Sequence, residues 1–416
     1  MNTTKLTASA VQGAFLIGAI LAGGTSARGQ ESASTRLLPP TRVEAAGLPI
    51  DIETGGTAPW YADFDRDGRA DLLVGQLEGG KLRIYRNLGS NEQPRFDAYE
   101  WFKAGAAGDA GQVFPSPQTG LFGGPVGFAP QLVDFDGDGL EDVLSCTGNG
   151  GIVVFRRQKD GSFAEGESLK RPDGLEIVGT PGATVHAADW DGDGDLDLGI
   201  AVQRGGISLL RNTGSRRQPT FGDPEPFKSD DDVVSARFGS AAPVMADWDG
   251  DGLIDLVVGS GDGSVTFYRH VGAAKDTTLA EGSVLVPPAF HDEEDASRPG
   301  SGARPCVCDF NGDGRLDLLV GGVRTSVVTP EIQLTDEDRE HDAALEKKLA
   351  SLSKKFSVER KELDDETGSP REKRLEGLRV ISSQMRAMRR ELTRPPPQPI
   401  VTIHGHLWIY LAGQGR

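Results

Sequence analysis

Five nine-residue runs in this chain place oxygen-bearing side chains at positions 1, 3, 5 and 9. They are Asp63, Asp65, Asp67 and Asp71; Asp134, Asp136, Asp138 and Asp142; Asp189, Asp191, Asp193 and Asp197; Asp247, Asp249, Asp251 and Asp255; and Asp309, Asn311, Asp313 and Asp317. Alternate residues of a tight loop point the same way, so the side chains of each run converge. A hard divalent cation takes about 6–8 oxygens, and a backbone carbonyl at position 7 adds one. Those position-7 residues are Arg69, Leu140, Asp195, Leu253 and Arg315. Position 6 is always glycine (Gly68, Gly139, Gly194, Gly252, Gly314), which turns the chain around the ion at positive φ. Asp-Gly turns without metal are the plainer alternative. A turn does not need four carboxylates packed together, and their repulsion is costly without a cation. The expected cofactor is therefore Ca2+, about five ions.

Composition agrees. The chain has 416 residues and a net charge of −18, close to the charge of the loop aspartates alone, so the remainder is nearly neutral. No basic excess marks a nucleic-acid partner. With 56 glycines and 37% hydrophobic residues, the chain reads as a turn-rich all-β protein. Lys5, the apolar stretch 11–22 and Thr25-Ser26-Ala27 make residues 1–27 a signal peptide, followed by a linker over 28–40. Export follows, to a secreted, periplasmic or cell-surface location, with no membrane span after cleavage. Cys146, Cys306 and Cys308 form no disulfide framework and read as small buried residues.

The elements that position the runs repeat with them. Run starts lie 71, 55, 58 and 62 residues apart. A short apolar strand precedes each run and a second follows it (LLVG at 72–75, VLSC at 143–146, LGIA at 198–201, LVVG at 256–259, LLVG at 318–321). Third strands are Lys81–Arg86, Ile152–Arg156, Ile207–Arg211 and Val265–Arg269, and an outer fourth segment carries Phe96, Phe163, Phe221 and Phe290. This is a β-propeller over 41–325, expected as five four-stranded blades. In the last repeat the third strand comes late, within 399–416, as His404-Gly-His-Leu-Trp-Ile-Tyr410. Thr41 to Ile52 supplies the missing fourth strand and closes the ring, which removes exposed edges. Position 2 of each run is aromatic (Phe64, Phe135, Trp190, Trp248, Phe310) and is expected to pack between blades, a binding platform being the alternative.

The insertion, 326–398, is helical. Thr335 and Asp338 form a capping box. Leu345, Leu349, Leu352, Phe356 and Leu363, then Leu375, Leu378, Ile381, Met385, Met388 and Leu392, are spaced as the seam of an antiparallel coiled-coil hairpin, with Glu359 in one slot. Each helix would extend about 35–40 Å. Such an arm is either a solvated two-helix projection or a docking element for a partner or a second copy.

The repeat resembles the FG-GAP/VCBS family, the calcium-loop propellers related to the head of integrin α subunits. Phe122-Gly-Gly-Pro125 and Phe238-Gly-Ser-Ala-Ala-Pro243 keep parts of the name-giving motif. The resemblance implies calcium at the aspartates named above and an exported protein; it transfers no ligand. The expected function is a calcium-stabilised binding or scaffold module rather than an enzyme. Its partner would be a protein or polysaccharide at or outside the cell surface, with self-association through the arm a further option. The alternative is an extracellular carbohydrate-active enzyme of lyase or dehydratase type. No nucleophile motif supports it, and His404 with His406 is short of the three or four ligands of a zinc site.

Overall fold

The computed structural model describes residues 36–53, 55–76, 80–105, 129–147, 150–180, 184–202, 205–239, 241–289, 298–328, 335–363, 369–392 and 400–413. The expected signal peptide, most of the linker, Phe290 and the Phe122-Gly-Gly-Pro125 motif lie outside these residues.

Five loop-bearing sheets follow one another along the chain. The first comprises Thr57–Ala62, Asp71–Gln76, Leu82–Tyr85 and Glu100–Trp101. The second comprises Gln131–Val133, Asp142–Cys146, Ile152–Phe155 and Glu167–Ser168. The third comprises Val185–Ala188, Asp197–Ala201, Ile207–Leu210 and Glu225–Pro226, and the fourth Ala242–Ala246, Asp255–Gly259, Val265–Tyr268 and Ser283–Val286. The fifth sheet has Ser301–Cys308, Asp317–Val328, Ile400–Tyr410 and Thr41–Arg42, with Asp51–Ile52 also on its third strand. In each, position 9 of the loop is the first residue of the second strand, whose first five residues are buried.

The blade count expected from the loops is corrected. Counting every sheet of three or more strands as a blade, the described residues hold six, not five. The sixth carries no loop. After Pro226 the chain turns back through Asp230 and Asp231, both at positive φ, so that Lys228–Ser229 pairs with Asp232–Val233 and, in parallel, with Thr278–Leu279. Strands of two residues have no alternation to read, which is why this sheet is invisible in the sequence. Nor are all blades four-stranded, since the fifth sheet has five.

Apolar clusters lie between successive loop-bearing sheets, and the position-2 aromatics sit in them. Phe64, Phe135, Trp190 and Trp248 are buried, each beside residues of the following sheet, and Phe310 packs against Tyr61 of the first sheet. Phe64 stacks on Phe163 with centroids 5.5 Å apart. These rings are core, not platform.

The N-terminal segment closes the ring: Thr41 pairs with Ile409 and Arg42 with Trp408. Val43, Ile50 and Ile52 are buried in the cluster that joins the fifth sheet to the first. Backbones approach closely at this seam. A Cβ on Gly321 would lie 2.1 Å from the Thr57 carbonyl oxygen, whereas Cys146, at the equivalent place in the second sheet, already has room for its side chain. Gly321→Val is expected to cost about 1–3 kcal/mol or more in urea unfolding. Cys146→Val should cost clearly less; equal losses would mean that the seam between last and first sheets is not tightly fitted.

The fifth sheet runs further than its sequence pattern. Its two long strands pair from Leu318↔Tyr410 to Val328↔Ile400, and the helices α1 (Asp336–Leu363) and α2 (Ser369–Leu392) lie between them in the sequence. Residues 326–328, expected at the start of the helical insertion, are the end of this strand. Because the long second strand starts at the loop and runs away from it, the arm leaves the face of the ring opposite the loops. The capping box forms: Thr335 Oγ1 accepts the Asp338 N–H (3.1 Å), and Asp338 accepts the Thr335 N–H (2.9 Å). Leu345, Leu349, Leu352, Phe356 and Leu363 face inward as expected. Leu375 does not, being 40% exposed. Arg374 takes its place in the seam and binds Glu359 (2.6 Å) and Glu362 (2.7 Å). Glu359 is the one acid among the apolar seam positions, so an arginine opposite it is better placed than a leucine.

Candidate metal centres

The five loops share one hydrogen-bond design. At position 1 the carboxylate accepts the position-6 N–H: Gly68 to Asp63 at 2.8 Å, Gly139 to Asp134 at 3.2 Å, Gly194 to Asp189 at 3.0 Å, Gly252 to Asp247 at 3.0 Å and Gly314 to Asp309 at 2.9 Å. All five glycines are at positive φ. Position 7 contributes its N–H to the position-5 carboxylate in every loop, from Arg69, Leu140, Asp195, Leu253 and Arg315 to Asp67, Asp138, Asp193, Asp251 and Asp313. Position 9 reaches out of the loop. One oxygen of Asp71, Asp142, Asp197, Asp255 and Asp317 accepts a backbone N–H just past the third strand, from Asn87, Arg157, Asn212, His270 and Ala412, at 2.7–2.8 Å. That bond ties the loop to the strand beyond its neighbour.

Carboxylate oxygens gather as the spacing requires. Asp63, Asp65 and Asp71, then the first three aspartates of the second, third and fourth runs, lie with their oxygens within 4.8 Å of one another. In the fifth loop Asn311 replaces one acid; its Oδ1 accepts the Asp313 N–H (3.1 Å), so the loop is built the same way.

The donor set fits a hard cation. In the third loop Asp191 Oδ1 and Asp197 Oδ2 are buried without a hydrogen-bond donor, as is Asp247 Oδ1 in the fourth. Burial pushes the carboxyls of Asp142, Asp197 and Asp255 up to about 6, and those of Asp71 and Asp317 upward as well. Buried, unneutralised oxygens are what a bound divalent ion relieves.

A feature missed in the sequence is a guanidinium beside the first three clusters. Arg86 lies 3.0 Å from Asp65 and 3.2 Å from Asp71; Arg156 lies 3.2 Å from Asp136 and 2.9 Å from Asp142; Arg211 lies 3.1 Å from Asp191. The fifth sheet has Leu411 there. The signal was present, an arginine closing each of the first four third strands, but it reads as a strand end. Arg69 and Arg315 also pair through their side chains with Asp67 and Asp313.

His404 and His406 do not stand alone. His404 Nδ1 is 2.8 Å from Asp51 Oδ1 and His406 Nε2 is 3.9 Å from it, and burial chiefly holds the His406 imidazolium down at about 4. Cys146, Cys306 and Cys308 are free and buried. Among the described residues no helix is long and apolar enough to cross a membrane.

The raised position-9 carboxyls fix the sign of a pH effect. Their folded values, about 6 for Asp142, Asp197 and Asp255, lie above the ordinary 3.8, so the metal-free fold holds more protons than the unfolded chain between those limits. The stability these three carboxyls contribute to the decalcified protein should be fully present below the lower limit and be lost as pH rises through the upper one. Urea unfolding across that window checks it. Replacing the three aspartates by asparagine should flatten the decline; an unchanged slope would locate the protons elsewhere.

A family described as FG-GAP-like repeat matches residues 134–200, 189–258 and 247–320. Integrin alpha-4 of Xenopus laevis is 31% identical over 159 residues, covering 34% of this chain and 14% of that protein. Integrin alpha-V of Gallus gallus is 27% identical over 228 residues, covering 49% and 21%. Cartilage acidic protein 1 of Xenopus tropicalis is 25% identical over 187 residues, covering 43% and 26%. The chain thus spans about a quarter or less of the length of these relatives.

Proposed function

Taking as premise that this chain is an FG-GAP repeat protein, with repeats over residues 134–320, we propose that it is an exported, calcium-stabilised propeller that serves as a binding scaffold and presents its helical arm to a partner. Support for the calcium comes from one observation above the rest. Four of the loops bring carboxylate oxygens within 4.8 Å of one another, the fifth is built by the same hydrogen bonds, and buried oxygens in two of them lack a donor. In this reading Asp63, Asp65, Asp67 and Asp71 and their counterparts in each loop hold one ion apiece, with the position-7 carbonyl as a further ligand. The position-9 carboxylate passes the restraint on to the third strand. Calcium then acts as structure, at the weak affinities of extracellular sites, Kd about 10⁻⁴–10⁻³ M.

Support for docking comes from the arm. It leaves the ring on the face away from the loops, and its acidic and basic residues over 331–394 number fifteen each, so it is charged but balanced. Its partner is a protein or polysaccharide at the cell surface, or a second copy.

Deletion of 331–398 tests this role. The expected outcome is a calcium-loaded ring that melts near the full chain's temperature and has lost self-association or partner capture in sedimentation. If sedimentation is unchanged, the arm is not the docking element. Turnover on a panel of acidic polysaccharides would replace this reading with an enzymatic one.

A further inference from the structure

The five loops are alike in their oxygens and unlike in what stands behind them. In the first two, a guanidinium bridges positions 3 and 9. Arg86 Nη1 lies 3.0 Å from Asp65 Oδ2 and 3.2 Å from Asp71 Oδ2, and Arg156 Nη1 lies 3.2 Å from Asp136 Oδ2 and 2.9 Å from Asp142 Oδ2. The other oxygens of Asp71 and Asp142 accept backbone N–H groups, from Asn87 and Arg157. Neither position-9 carboxylate keeps an oxygen free of a donor, and one of its two donors is a cation. Each guanidinium also lies over the position-2 ring of its own loop, 5.0 Å from the Phe64 centroid and 5.1 Å from that of Phe135.

The last three loops are built otherwise. Arg211 reaches Asp191 alone, at 3.1 Å, its other nitrogens being held by Glu225 and the Lys275 carbonyl. Asp197 Oδ2 is left buried with no donor. In the fourth and fifth loops the second oxygen of position 9 accepts a neutral donor from its own loop, the Trp248 and Phe310 N–H, both at 3.0 Å. Arg269 is exposed and forms no ion pair with a described residue, and Leu411 brings no charge. Fourth strands supply the anchor for the arginines. Glu100, Glu167 and Glu225 pair in register with the residue two before each arginine of the first three sheets, whereas Ser283 and Thr41 hold that place in the fourth and fifth. Glu100 grips Arg86 through two nitrogens, at 2.9 and 2.6 Å, and so fixes it beside its loop.

We propose that Arg86 and Arg156 set the calcium affinity of the first two loops, dividing the five sites into three that fill at low calcium and two that fill only at higher calcium. This rests on the calcium reading of the loops. A carboxylate can accept more than one donor, so the arginine does not bar the ion. It subtracts a charge from the site, and charge count is what tunes such loops. An ion arriving at positions 3 and 9 must share those oxygens with a cation or displace it. The difference expected is about 10–100-fold in Kd, the scale on which groups one step behind the ligands move metal affinity. In return the guanidinium cross-links the loop to the end of the third strand when calcium is scarce. The first two sheets then keep a latch that the last three obtain only from the ion.

Calorimetric titration of the full chain with calcium tests this. The expected isotherm has two classes, three tight sites and two weak ones. Arg86→Leu and Arg156→Leu, each installing the residue of the fifth sheet, should each move one ion from the weak class to the tight. The reverse change, Leu411→Arg with Thr41→Glu, should move one ion the other way, which a merely structural arginine would not do. If one arginine variant does not fold, the other and the reverse change carry the test. Asp138→Asn should remove an ion from the weak class and Asp193→Asn one from the tight, which assigns the classes to loops. Five sites in one class, arginine variants that leave the division unchanged, or classes assigned the other way round overturn this inference and leave the calcium reading standing. No bound calcium in equilibrium dialysis sinks both.

Discussion

Chelating calcium is expected to lower the melting temperature of this protein by tens of degrees, or to leave it unfolded at room temperature. The size follows from mass action. A site at one hundred times its Kd stabilises the fold by about 2.7 kcal/mol. Several such sites together reach the whole stability of an ordinary domain, about 5–15 kcal/mol. Without the ion the penalty runs the other way, since Asp191, Asp197 and Asp247 each keep a buried oxygen that accepts no hydrogen bond. Scanning calorimetry of the chelated and calcium-replete protein measures the difference. Equal melting temperatures would show that the loops are self-sufficient turns held by their own hydrogen bonds and arginines.

Removing residues 36–53 should be nearly as damaging. That segment adds Thr41–Arg42 and Asp51–Ile52 to the fifth sheet and buries Val43, Ile50 and Ile52. Burying a large aliphatic side chain is worth about 2–5 kcal/mol by truncation to alanine, and three are lost here. The loss also bares the edge of an eleven-residue strand, an invitation to intermolecular pairing. The expected outcome is a chain recovered as aggregate, or melting far below the full protein even with calcium. The single change Ile52→Ala, costing about 2–5 kcal/mol in urea unfolding, gives the same answer on a soluble protein. A truncated chain as stable as the full one would mean that the ring does not need this strand.

Much of this architecture was legible because period-two alternation and loop spacing are local. The aspartates, their glycines and the buried aromatics at position 2 all follow from which way neighbouring side chains point. What lay beyond local pattern was lost. A second left-handed position in each loop, at Arg66, Gly137, Gly192, Gly250 and Gly312, is masked by Arg66, which occupies it without being glycine. Arg86, Arg156 and Arg211 meet their aspartates only after the sheet folds. Leu375 reads as a seam residue of the arm because leucine is the obvious seam residue. The helix phase puts Arg374 there instead, and only the acid on the opposite helix explains it. The strand past Gly321, Gly-Val-Arg-Thr-Ser-Val-Val, shows no unbroken apolar run, and its partner lies beyond two helices. Paired two-residue strands of the sixth sheet carry no pattern at all.

Closing the ring with its first strand has a kinetic consequence. His404 and Asp51, which meet at that seam, are 353 residues apart along the chain. During synthesis the earlier partner waits through every intervening repeat, and the arm, before the later one exists. Loop-closure entropy makes such a contact late in any folding sequence. Each loop-bearing sheet before the last can pair its own strands as it emerges, whereas the fifth cannot. The closing strand is therefore a latch that sets last, and the lifetime of the open ring, more than the folding of any one sheet, should govern how much of the newly made protein is lost to aggregation.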